Sequence, residues 1–152
     1  MKTKKPALFT GMAAILLSTG SAIGAGGPAI TIYKSPDCGC CQSWVEHLDA
    51  NGFETTIVET SNLGEVKQQY DVPRDMTSCH TALIGDLVIE GHVPASDIVA
   101  YLENPQAGTI GLSVPGMPHG APGMETGRKD DFQVIIFSDD GEQDIFHAYQ
   151  GN

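Results

Sequence analysis

Three of the four cysteines fall within four positions, Cys38-Gly39-Cys40-Cys41, and the fourth, Cys79, is followed directly by His80. A thiolate is both the nucleophile of disulfide exchange and a ligand for soft metals, so the cluster points to one chemistry or the other. Cys38 and Cys41 form a C-x-x-C, which at the start of a helix brings two sulfurs to neighbouring positions on the first turn. Cys40 adds a third sulfur beside them. The partial positive charge and free N–H groups of a helix N-terminus favour the thiolate. Dithiol exchange needs two sulfurs, and an extra neighbour offers a wrong partner. A soft metal gains from each added thiolate, which tilts the reading toward metal binding. Two ordinary structural disulfides are the plain alternative in an oxidising compartment, but adjacent Cys40 and Cys41 are ill placed to bridge each other. Gln42 stands where a c-type haem motif needs histidine, which excludes that cofactor.

The elements that would position these residues follow from periodicity. Ala29 to Lys34 is a β-branched and aromatic run ending at Ser35-Pro36-Asp37, read as a strand and a turn. Cys41, Trp44, Val45 and Leu48 then form one helical stripe, with Asp37 as the expected N-cap and Gly52 just past the end. Phe53 to Val58 reads as a second strand. Asn62 and Glu65 suit a capping box for a short helix with Leu63, Val66 and Tyr70 on one face. Thr81 to Gly85 and Leu87 to Glu90 read as a hairpin. Pro94 to Glu103 reads as a helix with Ile98, Val99 and Leu102 inward. This βαβαββα order is the thioredoxin-like arrangement within the α/β class. Gln106 to Gly127, with six glycines and three prolines, is expected to be an extended loop. A terminal β-hairpin is expected from Gln133 to Phe137 and Asp144 to Tyr149, turning at Asp139-Asp140-Gly141.

That frame places Cys79 and His80 just before the Thr81 strand, where a thioredoxin-like domain carries a cis-proline facing its cysteines. A histidine there offers an imidazole nitrogen and leaves the sulfurs open. The expectation is that Cys79 and His80 face Cys38 and Cys41 and complete the ligand set. Met117, His119 and Met124 lie in the Gly/Pro loop, and thioether sulfur suits Cu(I) and scarcely binds Zn(II), which favours copper. Methionines that simply pin the loop to the core are the competing account. His92 is a further candidate ligand from a strand end; His47 and His147 are assigned no role.

The first 24 residues stand apart. Lys2, Lys4 and Lys5 precede the apolar run Ala7 to Leu17, and small residues follow to Ala22-Ile23-Gly24, the order of a secretory signal peptide cleaved after Gly24. A retained amphipathic anchor is the alternative. Residues 25–152 are then expected to form a single domain. Without the three leader lysines, five Lys+Arg remain against nineteen Asp+Glu, a formal charge of −14. Such a surface repels phosphate backbones and anionic lipid, so nucleic-acid and membrane partners are not expected.

The run Tyr33-Lys34-Ser35-Pro36-Asp37-Cys38-Gly39-Cys40-Cys41 with Trp44 resembles the signature of the CopG-like exported proteins associated with copper resistance, formerly a domain of unknown function. Ser78-Cys79-His80-Thr81-Ala82, Ile89-Glu90-Gly91-His92-Val93-Pro94-Ala95, Val114-Pro115-Gly116-Met117-Pro118 and Pro122-Gly123-Met124-Glu125 look like its other blocks. The resemblance implies a thioredoxin-like fold, periplasmic residence and copper handling with Cu(I)/Cu(II) conversion. It carries ligand status to Cys38, Cys40 and Cys41 and extends it to Cys79 and His80. Copper ions and other periplasmic copper-handling proteins are the implied partners. A binding protein is preferred over an enzyme. A thiol–disulfide oxidoreductase using Cys38 and Cys41, and a structural zinc site, remain the rival readings.

Overall fold

The computed structural model describes residues 27–151, so the leader read at 1–24 lies outside the described residues. Over these residues the chain is a mixed α/β protein with one seven-stranded sheet. In sequence the elements are β1 (Ala29–Lys34), α1 (Gly39–Ala50), β2 (Glu54–Glu59), α2 (Leu63–Gln69), a 3-10 turn (Arg74–Met76), β3 (Thr81–Ile84), β4 (Leu87–Glu90), α3 (Ala95–Glu103), β5 (Thr109–Ser113), β6 (Phe132–Ser138) and β7 (Gln143–Tyr149). The sheet order is β2-β1-β3-β4-β5-β6-β7. β1 pairs parallel with β2 and antiparallel with β3, and the β3–β4 hairpin follows. No helix among the described residues is long and apolar enough to cross a membrane.

The helical stripe read from α1 is the one buried: Cys41, Trp44, Val45 and Leu48 face the sheet, against Ile30, Ile32, Ala82 and Ile89. Burying side chains of this size contributes about 1.5–3 kcal/mol each, and it fixes the rotation of α1. That rotation in turn decides where the sulfurs of its first turn point. The N-cap is Cys38 and not Asp37; neither residue caps through its side chain, and the Cys38 carbonyl accepts the Gln42 N–H at 3.2 Å. α2 lies over β1 and β3 without a fully buried residue. In α3 the inward set is Ala95, Asp97, Ile98 and Tyr101, while Val99 is 39% exposed. Ala95, Ile98 and Tyr101 recur every three residues, and Val99 sits a further 100° around the helix.

The largest departure from the sequence reading is β5, which lies inside the segment expected to be loop. β5 pairs parallel with β4 and antiparallel with β6, and so joins the terminal hairpin to the rest of the sheet. Apolar residues alternate at Ile110, Leu112 and Val114, but Gly108, Gly111, Pro115 and Gly116 in and around them hid the strand in the sequence. Gly111 sits in its middle because a Cβ there would run into the Val88 carbonyl and the Phe137 ring. Beyond β5 the chain from Val114 to Asp131 is the Gly/Pro loop. Asp97 fastens β7 to α3: its buried carboxylate takes the His147 Nδ1–H and the Tyr149 hydroxyl, each at 2.8 Å.

Candidate metal centre

The centre forms where the start of α1, the segment before β3, the segment after β4 and the Gly/Pro loop converge. Cys38 ends the β1–α1 turn, its N–H donating to the Ser35 carbonyl at 3.1 Å. No acidic side chain occupies the first turn of α1, so the sulfurs of Cys40 and Cys41 meet no carboxylate from their own turn. Cys38 and Cys41 are joined as a disulfide, while Cys40 and Cys79 are free thiols. Each free thiol touches one end of that bond: Cys40 Sγ lies 3.6 Å from Cys38 Sγ, and Cys79 Sγ lies 3.6 Å from Cys41 Sγ.

Cys79 belongs to two donor groups at once. Within the first, Cys38, Cys40, Cys41 and Cys79, and within the second, Cys79, His80 and His92, every donor atom lies within 4.8 Å of the others. Cys79 Sγ is 3.3 Å from His80 Nδ1 and 3.1 Å from His92 Nε2. His92 Nδ1 donates to the Pro122 carbonyl at 2.8 Å, which leaves Nε2 as the lone-pair nitrogen facing the sulfur. A histidine oriented in this way through its far nitrogen is the usual arrangement at a metal.

His80 is fully buried. Its ring packs 4.4 Å from Trp44 and stands edge-on to His92 at 5.0 Å. Its Nε2 has no hydrogen-bond partner, an arrangement that ordinarily costs about 1–3 kcal/mol. Burial first, then the neighbouring His92 and Lys67 charges, hold His80 well below its usual range, so the ring is neutral and able to ligate. Burial also lowers His92, against the pull of the Pro122 carbonyl and Glu125. Burial, with Cys40 second, pushes the Cys79 thiol up to about 12.

All five of the main sequence candidates, Cys38, Cys40, Cys41, Cys79 and His80, are therefore brought together, and His92 joins them as closely as His80 does. Met117 and His119 are not gathered with them. Met117 is 55% exposed, and His119 bonds Thr126 Oγ1 through Nδ1 and Asp130 through its backbone N–H. The Gly/Pro loop reaches the centre instead through its backbone. Pro122 gives its carbonyl to His92, and Gly123 lies so close to α1 that a Cβ would come 2.7 Å from the Cys40 oxygen and 2.8 Å from the Trp44 nitrogen. Met124 follows in the same turn, half-buried, its N–H on the Ala121 carbonyl.

Sequence reasoning missed the supports. Trp44 Nε1 donates to the Val93 carbonyl at 2.8 Å, tying α1 to the His92 segment. The buried Glu90 carboxylate accepts the Ser78 N–H at 2.6 Å and the Thr81 hydroxyl at 2.7 Å. An acid closing the apolar run Leu87-Val88-Ile89 was the available signal, because a charge on a central strand demands a partner.

The family model described as "Protein of unknown function, DUF411" matches residues 76–124, a span holding Cys79, His80, His92 and Pro122. Two solved structures of a copper resistance protein CopG are similar to the chain. Form 2 is 42% identical over 80% of this chain and 97% of its own, with a TM-score of 0.76. Form 1 is 43% identical over 81% of this chain and 98% of its own, also with a TM-score of 0.76. No curated protein matches.

Proposed function

The chain belongs to the family of the copper resistance protein CopG, and on that premise we propose that it is an exported copper-binding protein serving copper resistance. Cys79 carries the reading, because it is shared by a four-sulfur group and a sulfur–imidazole group. Thiolate and neutral imidazole are donors suited to cuprous ion, and closely spaced thiolates can bridge more than one. In this reading copper is cargo. Cys38, Cys40, Cys41, Cys79, His80 and His92 hold it, and the Met124 turn covers the approach. Met117 and His119 are left to the rim of the loop. All four sulfurs serve once an external thiol reductant has supplied the two electrons and two protons that open the Cys38–Cys41 bond; re-forming that bond releases two electrons and two protons, enough to convert two Cu(II) to two Cu(I). The leader ending at Gly24 delivers residues 25–152, as one domain, to the periplasm, where other copper-handling proteins are its partners.

The test is Cu(I) titration of fully reduced protein against a competing chelator. Tight binding lost in Cys79→Ser supports the proposal; absence of binding by the unaltered protein overturns it. A second reading, thiol–disulfide exchange, is favoured by the disulfide and the free thiol at each of its ends. It requires metal-free turnover of a model disulfide that survives Cys40→Ser.

A further inference from the structure

The Lys67–Glu90 ion pair, with Glu90 buried and Lys67 half-buried, lies beside the centre and has no part in the ligand set. Glu90 is fully buried, and Lys67 Nζ lies 2.5 Å from its Oε1 and 3.0 Å from Thr81 Oγ1. The same carboxylate takes the Ser78 N–H on Oε1 and the Thr81 hydroxyl on Oε2. Ser78 and Thr81 are the residues on either side of Cys79-His80. One rigid group therefore grips both ends of the two-residue segment that presents a sulfur and an imidazole.

We propose that Glu90, neutralised by Lys67, is a positioning residue for the Cys79 and His80 donors. This rests on the metal-site reading above. Stability alone does not account for the pair, since apolar residues of similar volume commonly replace buried ion pairs without loss. The geometry accounts for it better. Thr81 and Glu90 are register partners across the β3–β4 ladder, so the carboxylate is anchored to the same two strands whose ends supply His80 and His92. Lys67 comes from α2, a helix with no fully buried residue, and cancels a charge that would otherwise repel thiolates nearby. Planar carboxylate acceptors fix direction as well as distance. The segment is thereby held with Cys79 Sγ within 3.6 Å of Cys41 Sγ.

The double variant Lys67→Met/Glu90→Gln tests this, because it removes both charges together and leaves neither stranded. The reduced variant should keep a melting temperature close to that of the unaltered protein. Its Cu(I) affinity should fall roughly 10- to 100-fold, the range seen when a group orienting a metal ligand is lost, and the absorption of the copper-loaded centre should shift. In metal-free protein, Cys79 should be alkylated faster while Cys40 is unaffected. Unchanged affinity and unchanged alkylation overturn the proposal. If the unaltered protein itself ignores Cu(I), the copper reading fails, and the alkylation rate alone decides the positioning role. Should the double variant fail to fold, Thr81→Val removes one hydroxyl, with its hydrogen bonds to Glu90 and from Lys67, and must shift both readouts in the same direction, or the proposal falls.

Discussion

Cys79 Sγ lies 3.1 Å from His92 Nε2, and the other nitrogen of that ring is committed to the Pro122 carbonyl. A residue 13 positions along the chain is thereby oriented by one 30 positions further on. Loss of the ring should cost a ligand and also leave the Pro122 carbonyl without its donor. His92→Ala is expected to weaken Cu(I) binding by at least the roughly 10- to 100-fold that follows loss of an orienting group. Chelator competition on reduced protein measures it.

Gly123 has φ +84°, and a Cβ there would strike the backbone at Cys40 and Trp44. Gly123→Ala should therefore push the loop off α1 and pull Pro122 from His92. The expected destabilisation is about 1–3 kcal/mol, the range for overpacking, with added left-handed strain. Urea denaturation measures the first effect. A Cu(I) affinity drop in the direction of His92→Ala reports the second.

Free-thiol counting should return two thiols per chain in protein carrying the Cys38–Cys41 disulfide, and four after reduction. Only the reduced form should take its full complement of Cu(I). Stripping the metal and re-oxidising should restore the count of two. Four thiols in air-exposed protein would contradict the pairing.

The Cys79 thiol, pushed up to about 12 by burial and by Cys40, keeps its proton throughout the neutral range. Metal binding must displace it. Copper loading should release that proton, and affinity should rise about tenfold for each pH unit per proton displaced. Calorimetry of Cu(I) binding in two buffers of different ionisation heat measures the release, and Cys79→Ser should lower it.

Metal-free protein should lose stability as pH falls below about 6.5, the ordinary range of histidine. Burial lowers His47, His80 and His92 in the folded chain. The unfolded chain therefore binds more protons in that window, so stability rises with pH and is fully present above it. His47 shows the mechanism, since its Nε2 accepts the Ala95 N–H at 3.1 Å and protonation would remove that acceptor. Melting curves at pH 7.5 and pH 5 should show the fall, and His47→Gln should reduce it.

The cysteine cluster, the α1 stripe of Cys41, Trp44, Val45 and Leu48, and the β-α-β-α-β-β-α order were legible because each depends on local spacing. A helix shows its buried face every three or four residues, and a cluster at its start inherits the helix end whatever the rest of the chain does. β5 was not legible: the short alternation Ile110, Leu112, Val114 is interrupted by Gly111 and set among the glycines and prolines of a loop-like segment, and Gly111 is explained only by Val88 and Phe137 beside it. Nor could local pattern separate His92 from His119, two histidines each next to a glycine and with a proline within two residues. Their fates were decided by which backbone carbonyl or hydroxyl each ring met after folding. Residue types determine which atoms can bind a soft ion. Which of them meet within bonding distance is decided by contacts far apart in the chain, because only packing across the sheet brings Cys41, Cys79 and Pro122 to one place.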